Sequence, residues 1–161
     1  MQKPEYCGNS ELSFSKIVDM INYFASSPKV KKLYKVKLMK LMWYGDFLSY
    51  KRYGHSITGL PYFALPMGAV PESHDYIIRL KGVPCDVQEQ SENTKYYFHS
   101  DEKYFPALSD DDRSVLDIVI ESFGGWNTDT LIPYMHKELA YKETEENGVI
   151  SYGYAKNLSI G

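Results

Sequence analysis

Between Val36 and Arg52 the chain carries apolar residues at almost every helical angle. Leu38, Leu41, Met42, Gly45 and Leu48 mark one stripe, and Trp43, Phe47 and Tyr50 widen it. A helix that is apolar around most of its girth has to be surrounded, so this segment predicts a central core helix. Gly54 supplies its stop. Lys37, Lys40 and Asp46 are the exceptions in this stretch, and charged groups enter a core only when paired. The pattern leaves two readings open for them: structural ion pairs or a polar site. Asp46 is also placed to tether a loop.

The other elements follow from periodicity and caps. Phe14, Ile17, Val18, Ile21 and Phe24 recur at helical spacing, with Ser13 as N-cap and Ser26-Ser27-Pro28 as the end. Residues 55–71 mix β-branched and aromatic residues with breakers, which predicts extended structure, tight turns and one edge strand. Pro71, followed by Glu72 and Asp75, opens a short helix that Gly82 closes. Val83–Val87 and Thr94–His99 read as a β-hairpin across the polar turn Glu89–Asn93. Ser109 with Asp110, Asp111 and Asp112 starts a helix whose buried face is Val115, Leu116, Ile118, Val119 and Phe123, and Gly124-Gly125 stop it. Asn127 or Thr128 caps another helix towards His136, and Ser151 starts a last short one. The fold class is α+β, a mainly helical single domain with a small antiparallel sheet or hairpin. Residues 1–12 read as a polar lead-in and 13–161 as the domain.

Composition narrows the class. Of 161 residues 43% are apolar, enough to bury a core. No apolar run approaches the roughly 18 residues of a membrane span, and Met1–Asn9 has no secretory core, so a cytoplasmic protein is expected. Cys7 and Cys85 build neither a disulfide scaffold nor a four-cysteine zinc site, and two reduced thiols are expected. The net charge of −3 hides an asymmetry: residues 1–80 hold 11 Lys/Arg against 6 Asp/Glu, residues 81–161 hold 7 against 15. Such a chain is able to present two faces of opposite potential. The basic excess concentrates in Lys29, Lys31, Lys32, Lys35, Lys37 and Lys40, either a solvated face or a contact surface for an acidic partner or nucleic acid. The acidic overall balance argues against general nucleic-acid affinity. Tyrosine accounts for 15 of the aromatics against 7 Phe and 2 Trp, a composition suited to interfaces.

Chemistry-bearing motifs are missing from the sequence. It has no G-x-G-x-x-G, P-loop, G-x-S-x-G or H-E-x-x-H. His55, His74, His99 and His136 fall on different elements, and Cys85 sits in a strand pattern as a packed thiol. His136, Lys137 and Glu138 are adjacent, so on a helix they point about 100° apart and make a poor shared metal site. Asp110–Asp112 is explained by a helix N-terminus. The reading is a protein that is not an enzyme, with no catalytic residues, metal or cofactor.

One segment says more. Lys37-Leu38-Met39-Lys40-Leu41-Met42-Trp43-Tyr44-Gly45-Asp46-Phe47 resembles the K-L-x-K-L-x-[WY]-Y helix of the SocA-like antitoxin family, also called the Panacea domain. The resemblance continues through Ser56-Ile57-Thr58-Gly59, Tyr62, Gly68-Ala69-Val70-Pro71, Leu116-Asp117, Phe123-Gly124, Leu131, His136-Lys137-Glu138, Ala140-Tyr141-Lys142, Ile150-Ser151-Tyr152 and Ala155. Ala69 departs from it, since members typically carry Pro there. The resemblance implies a mainly helical fold with a small β element. It implies an antitoxin of a bacterial or phage toxin–antitoxin system that neutralises a cognate toxin by direct protein binding. The alternatives it brings are a proteolytic adaptor that delivers the toxin to a Clp protease, and a nucleic-acid-binding regulator acting through Lys29–Lys40. Some members carry an N-terminal DNA-binding segment, and this sequence shows no C-x-x-C pair that would build a zinc finger. The expected partner contacts are Lys37, Lys40, Trp43 and Asp46 of the core-helix motif, the tyrosines Tyr96, Tyr97 and Tyr104, and His136.

Overall fold

The computed structural model describes residues 4–161, so Met1, Gln2 and Lys3 of the polar lead-in lie outside it. In chain order the elements are α1 (Pro4–Cys7), α2 (Phe14–Ser26), α3 (Lys35–Tyr53), β1 (Tyr62–Leu65), β2 (Gly68–Pro71), α4 (His74–Ile77), β3 (Cys85–Glu89), β4 (Thr94–Phe98), α5 (Asp110–Phe123), α6 (Thr128–His136), α7 (Leu139–Lys142) and a 3-10 helix (Tyr152–Asn157). This is a mainly helical α+β chain with two separate antiparallel pairs, β1-β2 and β3-β4.

Helix α3 is the centre, as its all-round apolar pattern requires. Every residue from Lys37 to Ser49 is buried. Helices α2 and α5 close on it at Gly45, where a Cβ would stand 2.9 Å from Leu116 Cδ2 and 3.2 Å from Met20 Cε. Glycine there permits the close approach. Helix α2 starts at its expected cap, with Ser13 Oγ accepting from Lys16 N at 3.2 Å. Helix α5 starts with a capping box: Asp112 N donates to Ser109 Oγ, and Ser109 N donates to Asp112 Oδ2, each at 3.0 Å. Asp112 also takes the Lys16 ammonium at 2.9 Å, which joins the α5 cap to α2.

The β elements differ in part from expectation. The hairpin β3-β4 forms in register from Cys85↔Phe98 to Glu89↔Thr94. Phe98 N donates to Leu33 O at 2.9 Å, so the chain entering α3 lies along the outer edge of β4. Residues 62–71, read as containing one edge strand, make a hairpin of two, from Tyr62↔Pro71 to Leu65↔Gly68. Strand β1 is held on both edges, because Asn147 N and Ile150 N donate to Ala64 O and Tyr62 O at 2.8 Å. Pro71 ends β2 at a sheet edge, where its missing N–H is harmless, and α4 begins only at His74.

The described part of the lead-in, from Pro4 on, is built into the fold. Cys7 is buried, its carbonyl accepts from Ser56 Oγ at 2.7 Å, and Ser56 N donates to Gly8 O at 2.7 Å. Residues 10–13 then lie against the turn at Gly59. At the other end the ring of Tyr152 stacks on Phe47 at 4.1 Å, and its hydroxyl donates to Leu60 O at 2.8 Å. Cys7 and Cys85 are free thiols. Among the described residues no helix is long and apolar enough to cross a membrane.

Gly59 has φ +78°, and a Cβ on it would meet Glu11 O at 2.5 Å and Leu12 N at 2.7 Å. Both are backbone atoms that cannot swing away. Gly59→Ala is expected to lower unfolding free energy by about 2 kcal/mol or more. Gly125→Ala, whose Cβ meets nothing within 4 Å, is expected to change it by less than about 0.5 kcal/mol. Urea unfolding of the two variants checks the contrast.

Candidate partner-binding groove

The polar residues of α3 find backbone partners. Asp46 accepts from Ile57 N at 2.8 Å, Thr58 N at 2.9 Å, Thr58 Oγ1 at 2.6 Å and Tyr62 Oη at 2.7 Å. It tethers the loop, as its position suggested. Burial pushes its carboxyl up to about 6, against the pull of these donors. Lys37 donates to Lys31 O and, at 2.6 Å, to Gly124 O. Lys40 donates to Met67 O. Burial lowers both ammoniums to about 8. Among the described residues neither lysine has a carboxylate within 4.0 Å, so of the two readings the ion pairs do not form for them, and bonds to carbonyls stand in their place. Trp43 is fully buried against Phe47 and Tyr44, and among the described residues its Nε1 has no hydrogen-bond partner. Lys37, Trp43 and Asp46 are thus buried away from the surface, and Lys37 and Asp46 hold wrapping segments to the core helix. Lys40 is equally buried but borders a surface depression.

That depression lies at the head of α3. It encloses about 440 Å³, has mainly aliphatic walls such as Met39, Leu65 and Val70, and adjoins a second of about 570 Å³. The two share Lys35, Val36 and Met67 and are taken together as one groove. Tyr34, Tyr96 and Trp126 line the larger part. Lys35 Nζ stands 5.6 Å from the Tyr96 ring centre, and Lys95 Nζ 5.8 Å from that of Tyr34, so each ammonium rests near an aromatic face. Met67, at the β1-β2 turn, is 52% exposed. Helices α3 and α6 both begin in the groove, at Tyr34 and Asn127, and neither cap residue makes a side-chain capping bond.

The structure scatters the other expected contacts. Tyr96 lies in the groove. Tyr97 is on the opposite face of β4, its ring 5.2 Å from Tyr34 and bordering a different depression with Lys31 and His99. Tyr104 is 74% exposed on the segment before α5. His136 stacks on Tyr141 at 4.5 Å, beside Pro66. Its neighbour Glu138 is occupied by Tyr44 Oη at 2.8 Å and by Ser159 Oγ at 2.6 Å, and no hydrogen bond joins it to His136. Among the described residues no group of three His, Cys, Asp or Glu is placed to hold a metal ion. Sequence reasoning missed Tyr34, Met67 and Trp126, and reached Lys35 only as part of the lysine run. Tyr34 and Lys35 stood next to a recognised helix start; Met67 and Trp126 carried no local signal.

The lysine run does not form a continuous basic stripe. Lys37 and Lys40 are buried, Lys29 pairs with Glu121 and Lys35 with Asp75. Lys31 and Lys32 are exposed and outside the described ion pairs.

Asp46 yields a pH prediction. The folded chain keeps this proton to about pH 6, whereas an ordinary carboxyl at 3.8 has already lost it. The contribution to stability is therefore complete below about pH 4 and lost as pH rises through about 6, a change on the order of 3 kcal/mol. The difference in unfolding free energy between the protein and Asp46→Asn reads it; a flat difference across that window contradicts it. Asp46→Ala leaves four donors without an acceptor and is expected to cost about 3–5 kcal/mol at neutral pH.

No curated protein and no solved structure matches the chain. The family model described as antitoxin SocA-like, Panacea domain, matches residues 38–141. The matched span carries the core helix from Leu38 onward, both hairpins, α5 and α6, and with them Lys40, Met67, Tyr96 and Trp126 of the groove. The chain belongs to the SocA-like antitoxin family, as a Panacea-domain protein.

Proposed function

We propose that this chain neutralises a toxin protein by binding it directly, with the groove at the head of α3 as its contact surface. Membership of an antitoxin family supports an antitoxin role in general terms. The observation that carries the finer reading is the groove itself, where half-buried Tyr34, Tyr96 and Trp126 stand beside exposed Met67. Tyrosine, tryptophan and methionine are enriched at interface cores, the aromatics supplying large contact area with few rotors and methionine an adaptable apolar contact. A binding surface of this kind needs no catalytic centre.

The test is co-expression of the chain with the product of the neighbouring gene, following growth and recovery of a tagged complex. Growth arrest by the neighbour alone, relieved together with a stable complex, is the expected outcome. Relief without a complex, with the neighbour lost from the lysate only while a Clp protease is present, replaces the reading by a proteolytic adaptor. Arrest that co-expression does not relieve overturns both. Within the complex, Tyr96→Ala and Met67→Ala are each expected to weaken binding by about tenfold or more, with unfolding midpoints near that of the unsubstituted protein. Isothermal calorimetry with urea unfolding measures the two effects separately.

A further inference from the structure

The groove is a positive place on a chain of net charge −3. Lys35 and Lys95 stand in its walls, and Lys32 joins them at the larger end. Lys40 lies 1% exposed with one backbone carbonyl as its hydrogen-bond partner, and among the described residues no carboxylate is within 4.0 Å of it. Against these four ammoniums stand Asp75, paired with Lys35, and Asp129 on the wall. A charge buried in low dielectric acts on its surroundings with little screening, so Lys40 adds to the field over the depression it borders. The walls between these charges are largely aliphatic or aromatic, with Thr94, Asn127 and Thr128 at the larger end and His74 at the smaller. The two depressions adjoin at Lys35, Val36 and Met67, so an occupant that fills both is a length of chain rather than a compact solute.

From this charge and shape complementarity we infer that the groove takes an acidic–apolar segment of the partner protein. An apolar side chain enters beside Val36, Met39 and Val70, and carboxylates on flanking residues meet Lys35 and Lys95 over the field of Lys40. The inference rests on the toxin-binding reading above and names the chemistry that the bound segment presents.

A partner-independent experiment decides the chemistry. The whole chain is titrated with the acetylated, amidated peptide ELEFE and with its uncharged counterpart QLQFQ, followed by NMR. ELEFE is expected to bind saturably, at low salt about tenfold or more tighter than QLQFQ, with shifts centred on Val36, Lys95 and Tyr96. Added salt is expected to narrow the gap, and Lys35→Gln with Lys95→Gln to close it. The Lys40 ammonium is expected to move from about 8 towards the ordinary lysine value, because a bound carboxylate favours its charged form. A purely structural lysine would not respond. Equal binding of the two peptides, shifts centred elsewhere, or displacement of ELEFE by a short DNA duplex overturns the proposal, the last in favour of a nucleic-acid surface.

The partner complex supplies the second arm. Lys95→Glu is expected to weaken it by about tenfold or more, while Lys156→Glu, on the exposed part of the 3-10 helix, leaves it unchanged. A complex indifferent to Lys95→Glu overturns the groove assignment and leaves direct toxin binding standing. If no complex forms at all, toxin binding fails, and the peptide comparison still decides the chemistry of the groove.

Discussion

A helix buried on every side cannot leave its charges to solvent, and α3 carries three that have to be satisfied from within. Asp46 draws four hydrogen bonds from the segment Ile57–Tyr62. Lys37 gathers the carbonyls of Lys31 and Gly124, and Lys40 that of Met67. Further along, Ser49 donates to His55 O at 2.8 Å, and Lys51 to Leu158 O and Ile160 O at 3.0 and 3.1 Å. Hydrogen bonds to charged groups contribute about 1.5–3 kcal/mol each, and an unpartnered buried charge costs several. These side chains therefore act as pins, and the irregular stretches between the regular elements take their course from them.

The pins also shape the surface. Lys40 holds the turn that presents Met67, and Lys37 holds both the approach to α3 and the link from α5 to α6 on which Trp126 stands. Three walls of the groove are thus set from inside, since Lys37 and Lys40 of the core-helix motif fix where Tyr34, Met67 and Trp126 stand relative to one another.

Much of the framework was legible because its signals are local. Helical spacing marked α2, α3 and α5, Ser13 and Ser109 marked two starts, and alternating residues around a polar turn marked β3-β4. The hairpin β1-β2 was read short because Pro66-Met67 lacks the glycine or asparagine that announces a tight turn, and because part of the support for β1 comes from residues 147–150, far along the chain. Helix α1 is too short to show a period. The site was less legible for a related reason. Tyr96 was reached from its strand, but Met67 and Trp126 join it only through long-range packing, and a lysine that ends on a carbonyl leaves no mark that separates it from a solvated one. Lys16 meets Asp112 and Lys29 meets Glu121, so part of the asymmetry between the basic and acidic halves closes into pairs across the fold.

Most of the pins reach main-chain atoms rather than side chains. Ile57, Met67, Gly124, Leu158 and Ile160 are held through an N–H or a C=O that other residue types also possess. A substitution that keeps the backbone path at these points leaves the anchoring bond in place. The outer layer of such a protein is free to drift in side-chain identity while the helix beneath preserves its geometry, which gives one scaffold room to diversify the partners it recognises.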